Sequence, residues 1–134
     1  MKNKPCLTAA DARAIAAAAE AEAVAHGWAV SIAVVDDGGH LWCLQRLEGA
    51  PPISTEIAPA KARTAALGRR ESRVYEEMIN QGRVSFLSAP LHGMLEGGVP
   101  ILVDGQCVGA VGVSGVKSAE DAQIARVGIA ALTA

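Results

Sequence analysis

Aromatic residues are nearly missing: the 134-residue chain has two Trp, one Tyr and one Phe. That scarcity argues against a platform of stacked rings for single-stranded nucleic acid. Net charge is also scarce. Twelve Lys and Arg against fourteen Asp and Glu leave a formal −2, so there is no basic field to gather nucleic acid or an anionic membrane surface. Cysteine occurs three times, at 6, 43 and 107, an odd and widely spaced set without a CxxC. The set fits neither a disulfide framework nor zinc spacing, and reads as reduced thiols in a cytoplasmic protein. No long apolar run is present. The alanine-rich stretch 9–25 is broken by Asp11, Arg13, Glu20 and Glu22, too charged and too short for a bilayer span of about 20 residues. The first six residues carry Lys2 and Lys4 with no apolar core behind them, so they do not read as a secretory signal. P-loop, HExxH, GxGxxG and GxSxG signatures are all missing.

What is present is apolar and small. Hydrophobic residues make up 51% of the chain, much of it alanine, and the length suits a single domain over residues 1–134. Thr8 with Asp11 three residues on predicts a helix start, and Gly27 a helix end. The expected apolar face of this helix is Ile15, Ala18, Ala19 and Val24. Residues 28–36 read as a buried strand, 37–39 as a turn and 40–46 as the returning strand. Alternation then puts His40, Trp42, Leu44 and Arg46 on one face.

A helix follows between residues 54 and 67. It either begins near Ile57 with Pro59 in its first turn, or begins at Ser54 and is bent; Gly68 ends it. Residues 72–81 predict another helix, 84–87 a short strand and 89–99 a loop. Residues 100–103 and 106–113 predict two strands joined by a type I′ turn at Asp104-Gly105. Gly109, Ala110 and Gly112 imply that something lies very close to the second of these strands. A last helix starts at Ser118, with Ile124, Val127, Ala131 and Leu132 as its buried stripe. Two hairpins and a set of helices predict an α+β domain with a central antiparallel sheet of about five strands flanked by helices.

Candidate chemistry is sparse. His40 and Arg46 bracket an apolar strip, which suits a ligand wall. Lys61 shares a helical stripe with Ile57, Thr64, Ala65 and Gly68. With no buried carboxylate expected beside it, its ammonium would be available to a ligand carboxylate. Glu96-Gly97-Gly98 is a glycine-rich approach to a strand, where main-chain N–H groups can come close to a ligand. His26 ends a helix, where a structural role suffices.

Several blocks together resemble a known family. They are Val34-Val35-Asp36 with Gly39 and Leu41, Arg46 with Gly49-Ala50, Lys61-Ala62 with Thr64-Ala65, Gly97-Gly98-Val99-Pro100-Ile101, and the run from Gly109 to Gly115 followed by Asp121. In this order they resemble the GlcG/HbpS family, whose relatives include the C-terminal domain of PduO-type adenosyltransferases. The resemblance implies a profilin-like α+β domain, assembly into homo-oligomers, and binding of haem or another tetrapyrrole such as a corrinoid. It makes His40 or His92 the candidate metal ligand, with Arg46 or Lys61 pairing with propionates. The alternative is a small catabolic enzyme, a lyase, hydrolase or isomerase acting on an unsaturated or keto carboxylate. There Lys61 and Arg46 would hold the carboxylate, the Gly97 and Gly98 amides would stabilise an oxyanion, and Glu96 or His40 would move protons. Under either reading the pocket is expected where the His40–Arg46 strand, the Lys61 helix and the Gly97-Gly98 loop converge, within one chain or completed by a neighbouring subunit.

Overall fold

The computed structural model describes residues 1–133. In chain order the elements are α1 (Ala9–His26), β1 (Ser31–Asp36), β2 (Leu41–Arg46), α2 (Ser54–Gly68), α3 (Ser72–Asn80), a 3-10 segment (Val84–Ser88), β3 (Gly98–Val103), β4 (Gln106–Ser114), α4 (Ser118–Ala130) and a closing 3-10 turn (Ala131–Thr133). The strands form one antiparallel sheet in the order β2-β1-β4-β3. The fold is α+β, as expected, with four strands among the described residues instead of about five. Residues 84–88 are the difference. They form a 3-10 segment because Phe86 stacks on Tyr75 of α3, with centroids 5.1 Å apart, which draws the segment away from the sheet.

Helices cover both faces. On β1, Ile32 and Val34 point into the core shared with α1 and α4, while Ala33 and Val35 point toward α2. The period-two alternation of a strand buried on both faces gives that division. The α2 side is built almost wholly from Ala and Gly: Ala58, Ala62, Ala65 and Ala66 meet Ala33 and Ala110. A β-carbon at Gly112 would overlap the Ala58 carbonyl oxygen. The close neighbour anticipated from Gly109, Ala110 and Gly112 is therefore α2.

Local signals explain the termini. Thr8 Oγ1 accepts from Asp11 N while Asp11 accepts from Thr8 N, a complete capping box, and Gly27 at φ 69° closes α1. The turn between β3 and β4 has Asp104 at φ 50° and Gly105 at φ 76°, matching the type I′ expectation. α2 begins at Ser54, with Pro59 inside it. The Pro51-Pro52 pair launches it, since their carbonyls accept from Ser54 N and Thr55 N. α2 ends one residue later than expected. A β-carbon at Gly68 would run into the Tyr75 ring, and Arg69 takes the left-handed position at φ 57°.

Two helix faces need correction. α1 buries Ala12, Ile15, Ala16, Ala19 and Ala23, leaving Val24 65% exposed. α4 buries Asp121, Ala122, Ile124, Ala125 and Gly128, leaving Val127 exposed.

Candidate functional site

Strand order separates the residues that were expected to converge. β2 and β3 occupy opposite edges, with β1 and β4 between them. Arg46 pairs with Ser31, and Ser31 with Ser114, so Arg46 lies at the same end of the sheet as Gly98 but three strands away. At about 4.8 Å per strand, that distance is too great for a shared pocket within one chain. Within one chain Arg46 therefore stands apart from Gly97-Gly98, and the form of the expectation that remains is a pocket completed by a neighbouring subunit. Arg46 donates from Nε and NH2 to the Ala50 carbonyl, at 3.1 and 2.8 Å, and so closes its own loop. His40 lies at the other end of β2, exposed, with its main-chain N–H donating to Asp36 Oδ1 at 2.9 Å.

Lys61 does meet Gly97 and Gly98. A β-carbon at Gly97 would stand 2.8 Å from Lys61 Nζ, and one at Gly98 would overlap the Lys61 carbonyl. But the ammonium is engaged. Lys61 Nζ donates to Val113 O at 2.9 Å and to Asp121 Oδ2 at 3.1 Å, and both side chains are almost wholly buried. The expectation of a lysine without a carboxylate partner is corrected by Asp121. Burial pushes the Asp121 carboxyl up from its ordinary value, while the Lys61 charge and the Val116 N–H pull it down. The Gly98 amide is engaged too, donating to Ser72 Oγ at 2.8 Å. Glu96 is half-buried, with its charge near Arg73.

His92 has a different setting. It lines a groove of about 440 Å³ between α3 and the segment that follows it, with Ile79, Leu87, Leu91, Met94 and Leu95 as apolar walls and Glu76 and Asn80 as polar companions. The local chemistry that builds this groove is legible. Ser72, at the start of α3, holds the far end of the loop by donating to Leu95 O and accepting from Gly98 N. The Tyr75–Phe86 stack holds the 3-10 segment, and Arg83 lies over the Phe86 ring. An apolar groove of this size with a few polar groups is the usual form of a small-molecule site. Its imidazole is the group able to coordinate a metal centre of a flat apolar ligand. His26 is accounted for structurally, stacked on Trp28 at 4.2 Å and 3.3 Å from Glu22.

Sequence reasoning missed most of this groove. The signal was there in Leu91 and Leu95, large apolar residues in the stretch read as a loop, next to Leu87 at the end of the expected short strand; Leu87 and Leu95 are exposed. It also missed Asp121 as the partner of Lys61.

The comparisons with known proteins agree on one group. Residues 7–130 match the family model described as haem degrading protein HbpS-like. The chain is 58% identical to protein GlcG of Escherichia coli K12 over 114 residues, 85% of each chain. Among solved structures, it is similar to a double mutant of Streptomyces reticuli HbpS, with TM-score 0.88 and 32% identity, covering 98% of this chain and 90% of that one. It is also similar to a PduOC:haem complex, with TM-score 0.84 and 27% identity, covering 95% of each.

Proposed function

The chain belongs to the HbpS-like family, and from that premise we propose that it binds haem or a closely related tetrapyrrole in the groove between α3 and residues 84–97, with His92 as the residue that would supply a nitrogen donor to its metal. The observation that carries this reading is the His92 imidazole set among Ile79, Leu87, Leu91, Met94 and Leu95. The donor set fits the group: burial of apolar walls supplies affinity for a flat ring, and an imidazole is a common ligand of haem iron. A structural relative was solved as a haem complex, and the family description itself refers to haem. When bound, haem would supply an iron centre for redox or ligand chemistry. The chain's own residues would contribute the nitrogen, the apolar walls and, at Glu76, a carboxylate beside them.

Both imidazoles are exposed, and His92 is preferred over His40 because it lines the apolar groove, whereas His40 stands at the far end of an edge strand. Lys61 and Arg46 already hold internal partners, so propionates are left to solvent and the groove rim. Of the groups the enzyme alternative relied on (Lys61, Arg46, the Gly97 and Gly98 amides, and Glu96 or His40), Lys61, Arg46 and the Gly98 amide are engaged inside the fold. We also propose that copies of the chain associate. The edge strand β2 carries Leu41, Trp42 and Leu44, all exposed, and one formal charge, a composition prone to cover itself.

Titration of the protein with hemin, followed in the Soret region, tests the site. A saturable shift is expected, with His92→Ala weakening it at least about tenfold and His40→Ala leaving it unchanged. Circular dichroism confirms that each variant is folded. Wild-type affinity in a folded His92→Ala overturns the assignment.

A further inference from the structure

We propose that the buried Lys61–Asp121 pair is a positioning device for the His92 segment, fixing the turn of α2 on which residues 93–98 rest; the inference builds on the tetrapyrrole reading of the groove.

Three glycines of one segment lie against the Ala60–Lys61 turn of α2. A β-carbon at Gly93 would overlap the Ala60 carbonyl carbon and Lys61 N, and one at Gly98 would overlap the Lys61 carbonyl. A β-carbon at Gly97 would stand 2.8 Å from Nζ and 3.0 Å from Cδ of Lys61. The segment therefore lies on both the main chain and the side chain of Lys61, at distances that leave no slack for the support to move alone. His92 immediately precedes Gly93.

That support is weak within its own helix. Pro59, two residues before Lys61, has no N–H, so the Thr55 carbonyl lacks its usual i+4 donor. The placement of this turn then depends on outside contacts. The Lys61 side chain supplies them, tied to Val113 O on β4 and to Asp121 on α4 at 2.9 and 3.1 Å. Asp121 is itself fixed by accepting from Val116 N at 3.2 Å. One ammonium thus joins α2, β4 and α4 directly beneath the loop. The second anchor of the segment, Ser72, grips it from α3. Neither Lys61 nor Asp121 lines the groove, so any effect they have on a ligand there passes through the loop.

The test uses the full chain carrying Lys61→Met with Asp121→Leu, an apolar replacement that removes the charges without orphaning either one. Two readouts are taken: hydrogen exchange of the ligand-free protein and hemin affinity. In the double variant the amides of residues 91–98 are expected to exchange about tenfold faster while those of β1 and β4 keep their wild-type rates, and hemin affinity is expected to fall by a similar factor. A purely structural pair would change exchange everywhere or nowhere. Wild-type exchange in 91–98, or wild-type hemin affinity, in the folded double variant overturns the proposal. If the double variant does not fold, Asp121→Asn is read the same way. If the wild-type protein takes up no hemin, the tetrapyrrole reading falls, and the exchange comparison alone decides the positioning.

Discussion

Lys61 is 3% exposed, so its ammonium has given up nearly all of its water and recovers the loss from the Val113 carbonyl and the Asp121 carboxylate. Removing the lysine alone leaves a buried carboxylate with the Val116 N–H as its remaining donor. Lys61→Met is therefore expected to cost about 3–5 kcal/mol at neutral pH, measured by urea unfolding. The cost has a pH dependence whose sign follows from Asp121. Burial raises its folded pKa above the unfolded value near 3.8, and Lys61 opposes that rise. Without Lys61 the folded carboxyl holds its proton to higher pH. The variant's stability then declines as pH rises through that wider window, so the gap from wild type widens toward neutral pH and narrows in acid. A gap that is constant with pH would count against the pair. The sequence placed Lys61 correctly in a stripe of small residues. Its partner was not legible, because Asp121 lies 60 positions away and nothing local marks an acid in a helix's first turn as a buried one.

Among elements, the contact of α2 with the sheet is the least forgiving. Gly112→Ala would drive a methyl into the Ala58 carbonyl and Ala62, main-chain and short side-chain atoms with no flexible end to yield. It is expected to cost roughly 3 kcal/mol or more. Thr8→Ala, which removes one cap bond at the start of α1, should cost only about 1 kcal/mol. Chemical denaturation of the two variants side by side checks the order, and a reversal would mean that α2 can slide. Elements with strong punctuation were readable: the Thr8 capping box, the Gly27 stop and the Asp104-Gly105 turn. Faces of the alanine-rich helices were not. Alanine occurs all round α1, so hydrophobicity does not mark a side; Ile15 and Ala19 were placed on the buried face correctly, while Val24 was not. Residues 84–88 have β-like local preferences, which the stacking of Phe86 on Tyr75 overrides.

For the molecule as a whole, both hairpins were legible but their mutual order was not. The order has a physical cause that the chain does display: β1 and β4 are the strands apolar or small on both faces, and they take the centre. β2 and β3 are left as edges, and so Arg46 and Gly98 part company. β3 carries Pro100, which suits an edge. β2 has no such protection, only Leu41, Trp42 and Leu44 standing 40–54% exposed. Light scattering at micromolar concentration is expected to return at least twice the mass of one chain, and Leu44→Asp to lower it. A single-chain mass for the wild type would remove the association proposed above.

The alanine and glycine layer beneath α2 also bears on how this protein can change over evolutionary time. On the α1 and α4 side, Ile15, Ile32, Val34 and Ile124 can exchange volume: one side chain shrinks while a neighbour grows, and the core drifts through many sequences of equal size. Ala58, Ala62, Ala65, Ala110 and Gly112 have no volume to give up. Every change at those positions except alanine to glycine is an addition, and Val35 is the one side chain of the cluster with volume to give up in exchange. The two halves of one small domain should therefore diversify at different rates, with the α2 layer held close to its present residues while the opposite core varies around a constant volume.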